Sequence, residues 1–414
     1  MTRTDAFVVV GAGLAGAKAV ETLRAEGLDG PVVLVGAEPE RPYERPPLSK
    51  QYLLGSAGRD AGFVHEPGWY AAHDVDLRTG VRAVGLDPAA HRVRLDTGEE
   101  LAYRALLLAT GSVPRRLPVP GADLDGVRYL RTLADADRLR ADLTGPARQV
   151  VVVGGGWIGL EVAAAARTHG HAVTVVEPQP TPLHAVLGPQ LGAVFGRLHR
   201  DHGVDLRTGV TVEEVRGAAG RVSAVRLGEG QEVPADLVVV GVGVLPETSL
   251  AAAGGLPVDG GVVVDAALRS PVPDIYACGD VAAAWHPRYQ RHLRVEHWAN
   301  ALHGGPAAAR SMLGQEVSYD RVPYFFTDQY ELGMEYSGLG RPGAPVVFRG
   351  DPGQGPFVAF WLGADGQVEA GMNVDVWGVT DDVQALIRSG RPVPADRLAD
   401  PDVPLASLLA GSPA

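Results

Sequence analysis

Two sets of glycines hold the first chemistry in this sequence: Gly11-Ala12-Gly13-Leu14-Ala15-Gly16 and Gly154-Gly155-Gly156-Trp157-Ile158-Gly159. Glycines at this spacing let a backbone turn tightly and come close to a pyrophosphate. An acid follows each set after roughly 20 residues: Glu38 after the first and Glu177 after the second. A carboxylate there accepts hydrogen bonds from ribose hydroxyls. Two complete sets imply two dinucleotides on one chain, and electrons passing from one to the other.

Such residues need a strand before the glycines, a helix opening at them and a second strand ending near the acid. Residues 7–10 and 150–153 are apolar runs of strand length, each followed by the glycines and an Ala-rich helical stretch. Residues 32–35 and 173–176 are the Val-rich second strands. Each helix N-terminus offers free N–H groups and a positive dipole end to an anion. The duplication continues. Leu77-Arg78-Thr79-Gly80-Val81 recurs as Leu206-Arg207-Thr208-Gly209-Val210, and the strand entering Ala109-Thr110-Gly111 has a counterpart entering Gly241-Val242-Gly243. The expected fold class is α/β: two homologous Rossmann-like dinucleotide-binding domains, each a parallel sheet with a small antiparallel insertion, and a small α+β C-terminal domain.

Residues 114–126 form a Pro/Gly-rich crossing, followed by a polar helix over residues 133–143. Asp274-Ile275-Tyr276-Ala277-Cys278-Gly279-Asp280 is a short strand ending in Gly-Asp, expected to return to the first module. The expected division is 1–114 and 244–320 for the first domain, 115–243 for the second and 321–414 for the third. In the third, strands are expected around 324–326, 346–348, 357–362 and 368–372, with a helix at 381–389. The tail, 401–414, has no assignable role.

The chain of 414 residues is 46% hydrophobic and 21% charged, and no apolar run reaches membrane-spanning length. Residues 1–5 run straight into the first strand without a signal-peptide pattern, which predicts a cytoplasmic protein. A net charge of -12 argues against nucleic acid or an anionic membrane as partner. One cysteine, Cys278, excludes a disulfide framework and any Cys-x-x-Cys pair. The pairs His169/His171 and His199/His202 lack further ligands, so no metal site is expected.

These motifs resemble the FAD-dependent pyridine nucleotide–disulfide reductase superfamily, with its glutathione-reductase-like fold. Pro42-Tyr43-Glu44-Arg45-Pro46-Pro47-Leu48-Ser49-Lys50, Trp157-Ile158-Gly159-Leu160-Glu161, Gly279-Asp280, Glu296-His297-Trp298-Ala299-Asn300 and Phe326-Thr327-Asp328-Gln329-Tyr330-Glu331 are similar to its ferredoxin and rubredoxin reductase branch. That branch includes putidaredoxin-reductase-like and biphenyl-dioxygenase-reductase-like enzymes. The resemblance implies FAD in the first module, NADH in the second and a small 2Fe-2S ferredoxin as acceptor, serving a cytochrome P-450 type or Rieske oxygenase.

Carried over residue by residue, the resemblance gives FAD to Gly11, Gly13, Leu14, Ala15, Gly16, Glu38, Arg45, Ala83, Ala109, Thr110, Gly111, Arg131, Gly279 and Asp280. It gives NADH to Gly154, Gly156, Trp157, Ile158, Gly159, Glu177 and Gly243. Lys50 is placed beside flavin N5 and paired with Glu161, while Trp298 is placed near the pyrimidine end of the ring, where helix-start N–H groups face it; these three are the catalytic candidates. Plainer readings stand beside these: Asp280 as the cap of a helix starting at Val281, Lys50 as a solvated lysine, Arg45 and Arg131 as surface arginines, and Trp298 as a core residue. No Arg or Lys follows Glu177 until Arg197, which predicts NADH over NADPH. Disulfide reductases of this superfamily carry cysteine where this chain reads Arg45-Pro46-Pro47-Leu48-Ser49-Lys50, so electrons have no internal thiol to visit. Arg288, Arg291, Arg294 and Arg310, close in sequence to Trp298, are candidates for docking an acidic ferredoxin. The alternatives are a rubredoxin reductase or NADH oxidase of the same fold, or a non-enzymatic redox-sensing protein resembling apoptosis-inducing factor.

Overall fold

Which strands lie inside a sheet follows from which are apolar throughout. In the computed structural model, which describes residues 6–341 and 343–409, the wholly apolar strands Phe7–Val10, Val32–Val35 and Ala105–Leu108 are buried on both faces. Residues 1–5, on which the cytoplasmic expectation rests, and 410–414 of the tail lie outside the described residues. By its internal contacts the chain divides into two units.

The first unit comprises residues 1–46, 59–113 and 244–321. Its parallel sheet runs Ile275–Ala277, Ala105–Leu108, Phe7–Val10, Val32–Val35, Val75–Arg78. The expected return of Ile275–Ala277 to the first module is therefore observed. The antiparallel insertion is the meander Ala83–Asp87, Arg92–Leu95, Glu100–Ala102. The helix Leu14–Ala25 packs along Trp298–Met312. They touch closely because Gly305 has no side chain: a Cβ there would lie 2.3 Å from the Ala15 carbonyl oxygen.

The second unit comprises residues 47–58, 114–243 and 322–414. Segment 47–58, assigned by sequence to the first domain, thus belongs here. The segment packs through Leu53 into the core of Leu139, Val162 and Val173. The parallel sheet runs Asp205–Thr208, Ala172–Glu177, Gln149–Val153, Leu237–Val240, Val127–Tyr129, with an antiparallel insertion of Val212–Ala218, Arg221–Leu227 and Glu232–Pro234. The helix Leu133–Leu143 starts at a capping box, with Thr132 and Asp135 satisfying each other's backbone N–H.

The C-terminal part of this unit is a five-stranded antiparallel sheet: Tyr324–Gln329, Leu332–Gly338, Val368–Val374, Phe357–Leu362, Val346–Arg349. The strand Leu332–Gly338 was not anticipated. Alternation along Phe357–Leu362 sends Phe357, Ala359 and Trp361 to one face and Val358, Phe360 and Leu362 to the other. The first set packs on Leu160, Leu187, Leu191 and Phe195 from the helices Trp157–Thr168 and His184–Asp201. The second set packs on Val383, Leu386 and Ile387 of the helix Thr380–Ser389, and on Leu398 and Leu405. Part of the tail therefore closes the core, a role its sequence did not announce.

Candidate functional site

The two glycine loops fold alike, and each glycine has its own physical reason. Gly11 and Gly154 sit at φ +118 and +106; a Cβ would lie 2.1 Å from the Ala109 oxygen and 2.4 Å from the Gly241 oxygen. Gly16 and Gly159 let each helix close on its loop, since a Cβ would lie 2.0 and 2.1 Å from the Gly11 and Gly154 oxygens. The middle glycines differ. A Cβ on Gly13 meets nothing within 4 Å, and one on Gly156 meets only the Gly241 oxygen at 4.0 Å. No protein contact forbids a side chain there; the space is open in front of a helix N-terminus. Both residues are helix N-caps without a side-chain cap, so the first N–H groups of Leu14–Ala25 and Trp157–Thr168 are left for an anion. This open cradle fits a dinucleotide pyrophosphate in both modules.

Around the first cradle the structure gathers several of the expected residues. Leu14 and Ala15 are buried in the helix start. Gly279 lies against Ala15, where a Cβ would be 3.3 Å from its methyl. Thr110 donates to the Glu247 carbonyl at 2.6 Å and Gly111 accepts from Glu247 N–H at 2.9 Å, which fixes the loop after Ala105–Leu108. Val81 N–H donates to Gly36, bringing the start of the Ala83–Asp87 strand to the loop after Val32–Val35. Glu38 is held by Arg45 at 2.8 Å and by the Tyr43 hydroxyl. Arg45 and His297 both lie within electrostatic range of Asp280. Burial, partly offset by Asp280, pushes the His297 imidazole down to about 4. His297 is thus neutral at the head of the helix that Trp298 opens. The helix-cap reading of Asp280 fails: Ala282–His286 is a strand, paired with Val262–Val264.

Around the second cradle, Glu177 accepts Gly155 N–H at 2.7 Å and Gln179 N–H at 2.8 Å, which places its carboxylate at the glycine loop. Reading forward along the chain missed Arg207, which the sheet brings opposite Val176. Alternation turns Arg207 to the other face from Glu177, and it is paired with Asp205 at 2.9 Å. Trp157 packs on Phe195 and Phe325, at 5.5 and 5.0 Å between ring centroids. Ile158 is the exposed residue of this turn. Gly243 accepts from Arg115 N–H at 2.9 Å.

Lys50 is not solvated. It is 6% exposed, and its ammonium lies 2.6 Å from Oε1 of Glu161, which is 3% exposed. Thr327 donates to the same oxygen at 2.6 Å, and Ser49 donates to Oε2. Behind them Gln329 donates to Thr327 at 3.2 Å, and His199 bonds to Gln329 at 2.9 Å. Sequence reasoning missed Ser49, Thr327, Gln329 and His199. The available signal was Thr327 and Gln329, two polar residues spaced i, i+2 in a strand that begins Tyr-Phe-Phe. Arg131 heads the helix Leu133–Leu143, its backbone N–H on Asp135 at 3.3 Å, in the second unit. Of the four arginines that were candidates for docking, Arg310 pairs with Glu26 at 2.8 Å near the far end of the helix from Trp298, and Arg294 pairs with Glu296. Arg288 and Arg291 are exposed, the first between the hairpin strands Ala282–His286 and Arg291–Leu293 and the second at the start of the latter.

Among the described residues no cluster of His, Cys, Asp and Glu could hold a metal, and no helix is long and apolar enough to cross a membrane.

Residues 5–305 match the pyridine nucleotide-disulphide oxidoreductase family, and residues 324–409 match the reductase C-terminal domain. The chain is 42% identical to the anthranilate 1,2-dioxygenase system ferredoxin–NAD(+) reductase component of Burkholderia cepacia, covering 98% of this chain and 99% of the relative. It is 37% identical to putidaredoxin reductase of Pseudomonas putida, over 100% and 99% of the two chains. The reductase in the covalent putidaredoxin reductase–putidaredoxin complex superposes with a TM-score of 0.94 at 36% identity, covering 99% of each chain. The matching family implies FAD and NAD(H) as cofactors, which agrees with the two open cradles. This chain belongs to the pyridine nucleotide-disulphide oxidoreductase family.

Proposed function

We propose that this protein is an NADH-dependent ferredoxin reductase: NADH binds the second module, FAD the first, and single electrons leave for a 2Fe-2S ferredoxin that serves an oxygenase. In this reading residues 1–114 and 244–320 are the FAD part, except that segment 47–58 packs in the second unit; 115–243 are the NADH part and 321–414 the C-terminal domain. FAD, when bound, converts a two-electron hydride donation into one-electron deliveries. The chain's own residues bind and orient. The uncapped helix starts at Gly13 and Gly156 receive the pyrophosphates. Glu177 accepts ribose hydroxyls and repels a 2′-phosphate. The Lys50–Glu161 pair holds a fixed cation for the flavin ring, and the helix start at Trp298 offers N–H groups to it. Hydride transfer needs no side-chain acid or base, so proximity supplies most of the acceleration. A cytoplasmic location fits a protein that draws on NADH.

One observation carries the reading: two matching cradles in a chain whose sole cysteine is inert. Cys278 is 1% exposed, and burial pushes its thiol up to about 12. It offers no thiolate to shuttle electrons, so the acceptor is external. The test is NADH-driven cytochrome c reduction with and without a purified 2Fe-2S ferredoxin. Reduction that depends on ferredoxin supports the reading. Reduction at the same rate without ferredoxin, or NADH consumption matched by oxygen uptake, rejects it.

A further inference from the structure

Six buried polar side chains in the second unit form one connected path. Ser49 is 4% exposed, Lys50 6%, Glu161 3%, Thr327 0%, Gln329 1% and His199 0%. They come from four places: the turn Pro46–Ser49 with the residue after it, the helix Trp157–Thr168, the strand Tyr324–Gln329 and the helix His184–Asp201. Burying this much polar surface is unfavourable unless every group is bonded, and an apolar cluster of the same volume holds a core as well or better. The packing of the C-terminal sheet on the two helices is already served by Leu160, Leu191, Phe195 and Met334.

The path has a direction, and the carboxylate sets it. Ionised Glu161 only accepts, so Lys50, Ser49 and the Thr327 hydroxyl must all donate to it. Thr327, having given its proton, can only accept from Gln329, so the Gln329 amide nitrogen faces it. The Gln329 carbonyl oxygen then faces His199, which must donate from Nε2. His199 is neutral, held down to about 4 by burial, and its Nδ1 has no hydrogen-bond partner among the described residues. Its ring is fixed by the Tyr330 ring at 5.3 Å. Each amide and hydroxyl orientation follows from the one before, and the donor chain His199, Gln329, Thr327 ends on the carboxylate that Lys50 and Ser49 also donate to.

We propose that Thr327, Gln329 and His199 are positioning residues: they fix the Glu161 carboxylate, and through it the Lys50 ammonium, in the one arrangement that serves hydride transfer. The flavin part of this statement rests on the function proposed above. The C-terminal sheet is then part of the reductive half of the enzyme, setting where the Lys50 charge sits rather than only covering two helices.

The test uses the FAD-loaded protein and its two lysines, Lys18 and Lys50. Lysine labelled with 13C at Cε gives one signal for each, and Lys18, on the first unit, is the internal control. Thr327→Val keeps the shape and removes the hydroxyl. It is expected to move the Lys50 signal and leave Lys18 in place, to slow flavin reduction by NADH about tenfold, the size of one lost charge-assisted hydrogen bond, and to shift the flavin midpoint potential. Thr327→Ser is expected to restore all three. His199→Phe is expected to move the Lys50 signal the same way by less. Gln329→Met is the second break in the path, should the valine variant fail to fold. An unmoved Lys50 signal in the folded variants overturns the positioning role, whatever the rates do. A moved Lys50 signal with unchanged flavin reduction and potential instead overturns the placement of Lys50 at the flavin.

Discussion

Gly156 and Gly159 lie one helical turn apart in the same fingerprint, and the structure separates their roles. Gly156 has φ -80 and ψ 179, a conformation that alanine adopts freely. Its added methyl would meet one protein atom, at 4.0 Å. Alanine is the poorer N-cap by about 0.5–1 kcal/mol, but it restricts the unfolded chain by about 0.4–1 kcal/mol. The two nearly cancel, so Gly156→Ala should shift the melting temperature of the FAD-loaded protein by no more than about 2–4 °C. At Gly159 the added carbon would lie 2.1 Å from a backbone oxygen, which forces the helix off its loop at a cost of about 1–3 kcal/mol or more. The ligand reverses the ranking. The Gly156 methyl occupies the space in front of the helix N-terminus, so a pyrophosphate must stand off and lose at least one charge-assisted hydrogen bond, roughly 1.5–3 kcal/mol. The dissociation constant for NADH should therefore rise about 10- to 100-fold. The assays are NADH titration of the loaded protein, the NADH KM in ferricyanide reduction, and thermal melts of both variants. If Gly156→Ala melts as low as Gly159→Ala, or binds NADH as the parent does, the cradle is a packing feature and the reasoning fails.

Glu177 should favour NADH over NADPH by on the order of tenfold in kcat/KM; Glu177→Ala should narrow the gap and also raise the NADH KM, because Gly155 loses its bond, and equal use of both donors by the parent contradicts this. Glu161→Ala leaves Lys50 buried without its carboxylate and should destabilise the protein by about 3–5 kcal/mol, while Lys50→Met with Glu161→Leu should recover most of it; additive losses in denaturant melts would remove the ion pair from the account. Ferredoxin-coupled turnover should slow as salt rises, and charge reversal at Arg288 and Arg291 should reproduce the effect at low salt, with turnover that ignores both placing the docking face elsewhere. Burial alone would raise the Glu335 carboxyl, but bonds from Tyr324, Thr380 and Asn373 outweigh it and hold the group below its usual range. Its contribution is therefore present above the unfolded value of about 4.5 and is lost as pH falls through the lower folded value. The gap in melting temperature between parent and Glu335→Gln should close between pH 6 and pH 3, and a constant gap contradicts the assignment.

What the sequence disclosed was set by range. The cradles were legible because strand, glycines, helix and acid are consecutive, and because the pattern occurs twice. Of the path from Lys50 to His199 only the Lys50–Glu161 step was expected, from the resemblance; the rest joins positions far apart in the chain, with the i, i+2 spacing of Thr327 and Gln329 as its one local trace. Arg207 escaped a forward reading because a parallel sheet sets it beside residues on a neighbouring strand. Arg310 was grouped with Trp298 by sequence distance, yet a helix rises about 1.5 Å per residue and carries it away to Glu26. The Ala-rich run after Asp280 reads as a helix by propensity; pairing with Val262–Val264 makes it a strand, tertiary context overriding a weak local preference.

The interleaving of the two units has a consequence for biosynthesis. The strand Ala105–Leu108 leaves the ribosome early, but its neighbour Ile275–Ala277 follows only after the whole 114–243 module has been made. At ribosomal elongation speeds of about 5–20 residues per second the wait is on the order of ten seconds. Throughout it, Ala-Leu-Leu-Leu presents an unpaired sheet edge, the kind of surface that templates aggregation. The 114–243 stretch is contiguous, but its helices Trp157–Thr168 and His184–Asp201 also wait, since an apolar face of each is covered only by the C-terminal sheet. The nascent first unit therefore exposes this edge until Ile275–Ala277 is made, and strong overexpression should lose protein through it.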